Sequence, residues 1–155
     1  MKELIVVRHG NPDPGGELSF DGTVAVRQLA ERIRPYVQGR EKVGLFSSRL
    51  PRAAQTAEVL SEWLLDWADA VYTPLLGSDQ GGEDVDDLAL FNWLSSQEDR
   101  FDTVILVCHD SCARTFPGFY SKRKLGRPID DDRRVVGYAH GTVVHCHEQV
   151  SATLV

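Results

Sequence analysis

Apolar residues follow two rhythms along this chain. In one they form short unbroken runs: Leu4-Ile5-Val6-Val7, residues 43–46 and residues 103–108. Runs of this length, rich in β-branched side chains, suit strands covered on both faces. In the other they recur every three or four residues, the spacing of a helix with one buried face. The two rhythms alternate, and their alternation predicts the elements in order.

Residues 3–8 read as a first strand. Residues 11–20 hold Pro12, Pro14, Gly15 and Gly16 and read as a loop that walls one side of a pocket. A helix follows an expected N-cap at Asp21. It turns Ala25, Leu29, Ile33 and Tyr36 inward and carries Arg27, Glu31, Arg32 and Arg34 on other faces. Pro35 should end it near Arg34. Residues 43–46 give a second strand. Pro51 opens a second helix, with Ala53, Ala57, Leu60 and Leu64 as its inward stripe and Trp63 and Trp67 adding to the core. Residues 71–73 give a third strand, closed by Pro74. Residues 77–84 form a polar loop, and a helix from about Asp84 to Ser96 turns Val85, Leu88, Ala89 and Trp93 inward. The run 103–108 is the most apolar and should be the central strand. Residues 110–134 read as irregular and charged. Residues 135–155 read as strands around Gly141 and a turn at Glu148-Gln149.

Alternating strands and helices predict an α/β fold, a three-layer α/β/α arrangement on a mainly parallel sheet. At 155 residues, a single domain spanning 1–155 is expected. A formal charge of -6 and a pI near 5.3 argue against a general nucleic-acid or membrane-surface binder. The apolar run at the N-terminus is too short for a signal peptide or membrane span, so the cytoplasm is the expected location. Three cysteines cannot close a disulfide set, which suits a reducing compartment.

Three stretches carry chemistry. Arg8-His9-Gly10 ends the first strand, where open α/β sheets bind ligands, and Gly10 would let the backbone turn. Ser48-Arg49-Leu50-Pro51-Arg52-Ala53-Ala54-Gln55-Thr56-Ala57 opens the second helix. His109 follows the central strand and shares a sheet edge with His9. In this order the three resemble the marks of the histidine phosphatase superfamily, which has a phosphoglycerate-mutase-like fold. The Arg52-Ala53-x-Gln55-Thr56-Ala57 match is the most specific. The short chain is similar to the compact phosphohistidine phosphatase branch.

The resemblance implies a phosphatase acting on a phosphomonoester or a protein phosphohistidine through a phosphohistidine intermediate on His9. A neutral imidazole can attack phosphorus, and nearby arginines would hold it neutral. Arg8 and Arg52 are the expected phosphate clamps, since a guanidinium stays charged and meets phosphate with a planar fork. His109 is expected to bind the phosphoryl group, and Asn11 is counted with Arg8, Arg52 and His109 as substrate-binding. Many family members have glycine after this histidine, where Asp110 stands here. Asp110 should point away from a phosphate and cap the next helix. The family takes its general acid from the loop after the third strand, often as a glutamate where Gly77 stands here. Asp79 and Glu83 remain. Asp79 is preferred because it lies nearer the strand end, while Glu83 sits beside the expected cap Asp84.

No cofactor or metal is expected. His140, His145, Cys146 and His147, with Cys108, Cys112 and His109, are metal-ligand types, but neither C-x-x-C nor H-E-x-x-H spacing occurs. The expected partners are a phosphorylated small molecule or a phosphohistidine protein, with no nucleic acid and no membrane. The basic segment holding Lys122, Arg123, Lys124, Arg127, Arg133 and Arg134 either steers an anion or is a solvated loop. An inactive relative that binds phosphorylated ligands and a phosphomutase are the alternatives in function.

Overall fold

The computed structural model describes residues 1–66, 69–77, 82–127, 129, 136–146 and 152–155. Six strands make one sheet: β1 (Glu3–Arg8), β2 (Val43–Ser47), β3 (Val71–Tyr72), β4 (Thr103–Cys108), β5 (Gly141–His145) and β6 (Ala152–Leu154). Their order is β3-β2-β4-β1-β5-β6. The β1–β4, β2–β4 and β2–β3 pairs are parallel, and the β1–β5 and β5–β6 pairs antiparallel. The central strand is β4, as its sequence implies, with every residue buried.

Side chains alternate across the strands, so both faces of β1 and β4 are apolar. Ile5, Val7, Ile105 and Val107 face a core closed by helices α1 (Phe20–Val37) and α2 (Pro51–Leu64). Leu4, Val6, Val104 and Leu106 face a second core closed by α3 (Asp87–Ser95) and α4 (Asp110–Leu125). This is the three-layer α/β/α arrangement.

The differences from the sequence reading are local. Helix α1 starts two residues early, at Phe20, because Ser19 rather than Asp21 accepts the Gly22 N–H as N-cap. It also runs through Pro35 to Val37. The hydrogen bond that Pro35 cannot donate falls on the exposed side, while buried Val37 holds the last turn against the core. Helix α3 starts at Asp87, not Asp84, because the Asp86 carboxylate accepts from Leu88 N and Ala89 N. That shift rotates the buried face to Leu90 and Leu94 and leaves Leu88 exposed. Trp63 is not a core residue: it is 40% exposed and lies under the Arg27 guanidinium.

The largest correction is the stretch after His109. Residues 110–125 are a helix, not irregular chain, with Cys112, Ala113, Phe116 and Tyr120 buried at helical spacing. Pro117 lies inside it on the buried face. Lys122, Arg123 and Lys124 sit in its last turn, where cations oppose the negative helix end. Lys124 pairs with Glu98 at 2.6 Å, and Arg123 stacks over Phe91 and Phe119. Trp67, Asp130, Asp131, Asp132, Arg133, Arg134, His147, Glu148 and Gln149 lie outside the described residues.

Candidate active site

The site is built where three adjacent parallel strands end. β1 delivers His9, β4 delivers His109 and β2 delivers Ser48. In the β1–β4 register Arg8 stands opposite Cys108, so His9 and His109 are equivalent positions one step beyond the paired strands. Their rings meet edge to face with centroids 5.1 Å apart. Both residues are nearly or fully buried.

Gly10 is required here by space. A Cβ would lie 2.5 Å from Leu18 Cδ1 and 2.8 Å from Val26 Cγ2, so the turn presses directly on the 11–19 loop and α1. That loop does wall the site: Leu18 N donates to Gln55 Oε1 at 2.6 Å, and Gly10 N donates to Thr56 Oγ1 at 3.0 Å. Gln55 and Thr56 thus tie helix α2 to the turn that follows His9. Asn11 is exposed, and its carbonyl accepts from Ser19 N and Oγ.

The His9 tautomer follows from its neighbours. Nδ1 lies 2.7 Å from the Gly10 carbonyl, which can only accept, so Nδ1 carries the proton. Nε2 is therefore the unprotonated nitrogen, and its lone pair accepts from Arg52 Nε at 3.3 Å. Burial holds the His9 pKa below its ordinary value. The Gly10 bond opposes this, Arg52 and Arg8 reinforce it, and Glu83 opposes it.

His109 is assigned in the same way. Ser48 Oγ donates to the Gly77 carbonyl at 3.0 Å, so its 2.9 Å contact with His109 is a bond donated by Nε2. Nδ1 is buried without a hydrogen bond, 3.3 Å from Glu83 Oε1. Burial pushes the His109 pKa down to about 4 despite the pull of Glu83, with His9, Arg52 and Arg8 adding to the fall. Both imidazoles are therefore neutral near pH 7.

Arg52 enters from the first turn of α2 and bonds Glu83 as well as His9. Burial raises the Glu83 pKa, but the Arg52 hydrogen bond and the charges of His109, Arg52 and His9 together hold it below the usual carboxylate value. Glu83 does not serve the first turn of α3. It is a member of the site, which corrects the reading that set it aside. Asp79 lies outside the described residues.

Arg8 reaches the site from the other side. Its Nη1 donates to the Val136 carbonyl at 2.9 Å and pairs with Asp110 Oδ1 at 3.0 Å. Asp110 therefore does not point away, nor does it cap α4, whose N-cap is His109. Its second oxygen holds Arg114 Nε at 2.9 Å. Tyr138 completes this flank, with the Arg8 guanidinium 4.1 Å from its ring centre and the His9 ring at 5.5 Å. Tyr138 was not legible from sequence. It precedes Ala139, whose φ of 51° is unusual for a residue with a side chain. Ala139 N donates to the His9 carbonyl at 3.1 Å, which fixes that turn against His9.

Gly77 explains a departure noted in the sequence. Its φ is 117°, and a Cβ there would lie 3.0 Å from the His109 ring. A glutamate at this position would collide with the second histidine, so a carboxylate must come from elsewhere.

No family model matches the sequence, and no curated protein does. Solved structures share its fold. The protein histidine phosphatase SixA complexed with tungstate aligns over 98% of this chain and 93% of its own, with TM-score 0.68 and 18% identity. A mycobacterial glucosyl-3-phosphoglycerate phosphatase complexed with VO3 aligns over 99% and 97%, with TM-score 0.59 and 22% identity. A phosphoglycerate mutase from Plasmodium falciparum aligns over 99% and 87%, with TM-score 0.58 and 19% identity. The chain therefore has the phosphoglycerate-mutase-like α/β fold expected from its motifs.

Proposed function

We propose that this chain is a histidine phosphatase that hydrolyses a phosphomonoester or a protein phosphohistidine through a phosphoryl group carried on His9. The observation that carries the reading is the His9 ring, whose proton is tied back to Gly10 while Nε2 offers its lone pair beside Arg52. That is the protonation state a nucleophilic imidazole needs.

In this reading Nε2 attacks phosphorus, the P–N bond forms as the P–O or P–N bond to the leaving group breaks, and water later releases phosphate. Arg52, Arg8 and His109 surround the phosphoryl oxygens and offset the charge that develops there. Glu83 is the proton donor. It is ionised in the free site, but an incoming phosphoryl dianion draws Arg52 away from it and raises its proton affinity. Its place beside Arg52 and His109 supports it over Asp79 and weakens the reading of an inactive relative, which rested on Gly77. Tungstate and VO3 in two structural neighbours are oxyanions of the kind such a site would hold. The proposal includes activity without a metal and a cytoplasmic location. Among the described residues no helix is long and apolar enough to cross a membrane.

The test is a rapid quench with a radiolabelled phosphohistidine peptide. Label should appear on His9, stable to base and labile to acid, and persist in EDTA. His9→Ala should carry none while melting cooperatively. Equal labelling of the variant would overturn the covalent mechanism.

A further inference from the structure

We propose that His9, Glu83 and His109 also form a binding site for a divalent cation of the zinc class, which occupies the centre in place of a phosphoryl group. His9 and His109 each offer a ring nitrogen and Glu83 a carboxylate oxygen, and all three atoms lie within 4.8 Å of one another. Two imidazoles and a carboxylate are a three-ligand set that zinc accepts, with a fourth position left to water.

Three further observations favour the cation. The His109 Nδ1 is fully buried and has no hydrogen bond among the described residues, and it faces Glu83 Oε1, the second ligand atom, at 3.3 Å. The opposite nitrogens are already engaged as metal-bound histidines require, His9 Nδ1 with the Gly10 carbonyl and His109 Nε2 with Ser48 Oγ. The charges that face the centre are mostly offset. Glu83 answers Arg52, while Asp110 answers Arg8 and Arg114.

Arg52 is the competitor. It donates to His9 Nε2 and to Glu83, two of the three ligands, and it must swing toward solvent when the cation enters. A phosphoryl group needs Arg52 in place and needs the same Nε2 lone pair. Cation and phosphoryl group are therefore mutually exclusive, and the cation acts as a reversible blocker.

Zinc binding to the full chain is measured directly, by competition with a chromophoric chelator, without reference to turnover. One zinc should bind per chain. Glu83→Gln, at an exposed position that does not threaten the fold, should weaken it by roughly tenfold or more. Arg52→Ala should tighten it several-fold, and orthovanadate should weaken it in the wild type. Cys146→Ser should leave it unchanged. No binding by the wild type, indifference to Glu83→Gln, no gain in Arg52→Ala, or loss in Cys146→Ser would each overturn the proposal. A chain that binds zinc in this way but never carries phosphate on His9 would overturn the proposed function and leave the cation site standing.

Discussion

Arg52→Ala is expected to lower kcat/KM by roughly 150-fold, or about 3 kcal/mol. Arg52 Nε lies 3.3 Å from His9 Nε2, so in the proposed reaction its positive charge would fall about 4 Å from a phosphoryl oxygen in transfer. Its side chain is 20% exposed, which places the interaction in a medium between water and a dry interior. At an effective dielectric of about 20 that pair is worth about 4 kcal/mol. Arg8 and His109 take over part of the lost attraction, which brings the net loss toward 3 kcal/mol by the scale of single oxyanion donors, about. Arg52→Lys should recover only part, because a point charge cannot present two parallel N–H groups. The assay is steady-state hydrolysis of an activated aryl phosphate, whose leaving group needs little proton donation. A change at Glu83 caused by losing Arg52 then does not contaminate the result. A thermal melt checks the fold. A rate for Arg52→Ala within about threefold of wild type would refute the assignment.

The proton donor is tested by leaving-group dependence. Glu83→Gln should slow alkyl phosphate hydrolysis by roughly 10²–10⁴-fold and barely change the activated aryl phosphate, while Asp79→Asn should change neither. The reverse pattern would restore Asp79. Stability should also report the buried histidines. His9 and His109 have folded pKa values below that of an unfolded histidine, so below about pH 6.5, and for His109 down to about pH 4, the unfolded chain binds protons that the folded chain refuses. Their contribution is complete above that window and is lost as pH falls, at up to about 1.4 kcal/mol per pH unit for each group. Urea midpoints between pH 7 and pH 5 should fall accordingly, and less steeply for His109→Gln. An equal slope in that variant would refute the assignment.

The strands and most of the site were legible because each rests on a short-range signal. Unbroken apolar runs gave β1 and β4, and two strand-ending histidines gave the shared edge. What escaped depended on competition between neighbours. Asp84, Asp86 and Asp87 could each cap α3, and only the packing of Leu90 and Leu94 selects Asp86. Helix α4 was hidden by Pro117 and Gly118, whose local cost is outweighed by burying Phe116 and Tyr120. Tyr138 reaches the site from a segment distant in sequence, and nothing in its local pattern marks it. Glu83 was one of two candidates for the acid, and nearness to the strand end, with the expected cap at Asp84, favoured Asp79 over it. Asp110 was read by charge against phosphate alone, which overlooked that Arg8 could claim it.

The β1–β4 ladder extends one bond beyond the strands, since His9 N donates to the Cys108 carbonyl at 3.0 Å. The His9 peptide group therefore belongs to the same cooperative unit as the centre of the sheet. Its amide hydrogen can exchange with solvent only when β1 and β4 part, an opening that dismantles both cores. Glu83, by contrast, is exposed. In the proposed reaction, the group that would form the covalent bond thus opens only with the sheet, while the group that would move the proton stands at the exposed rim.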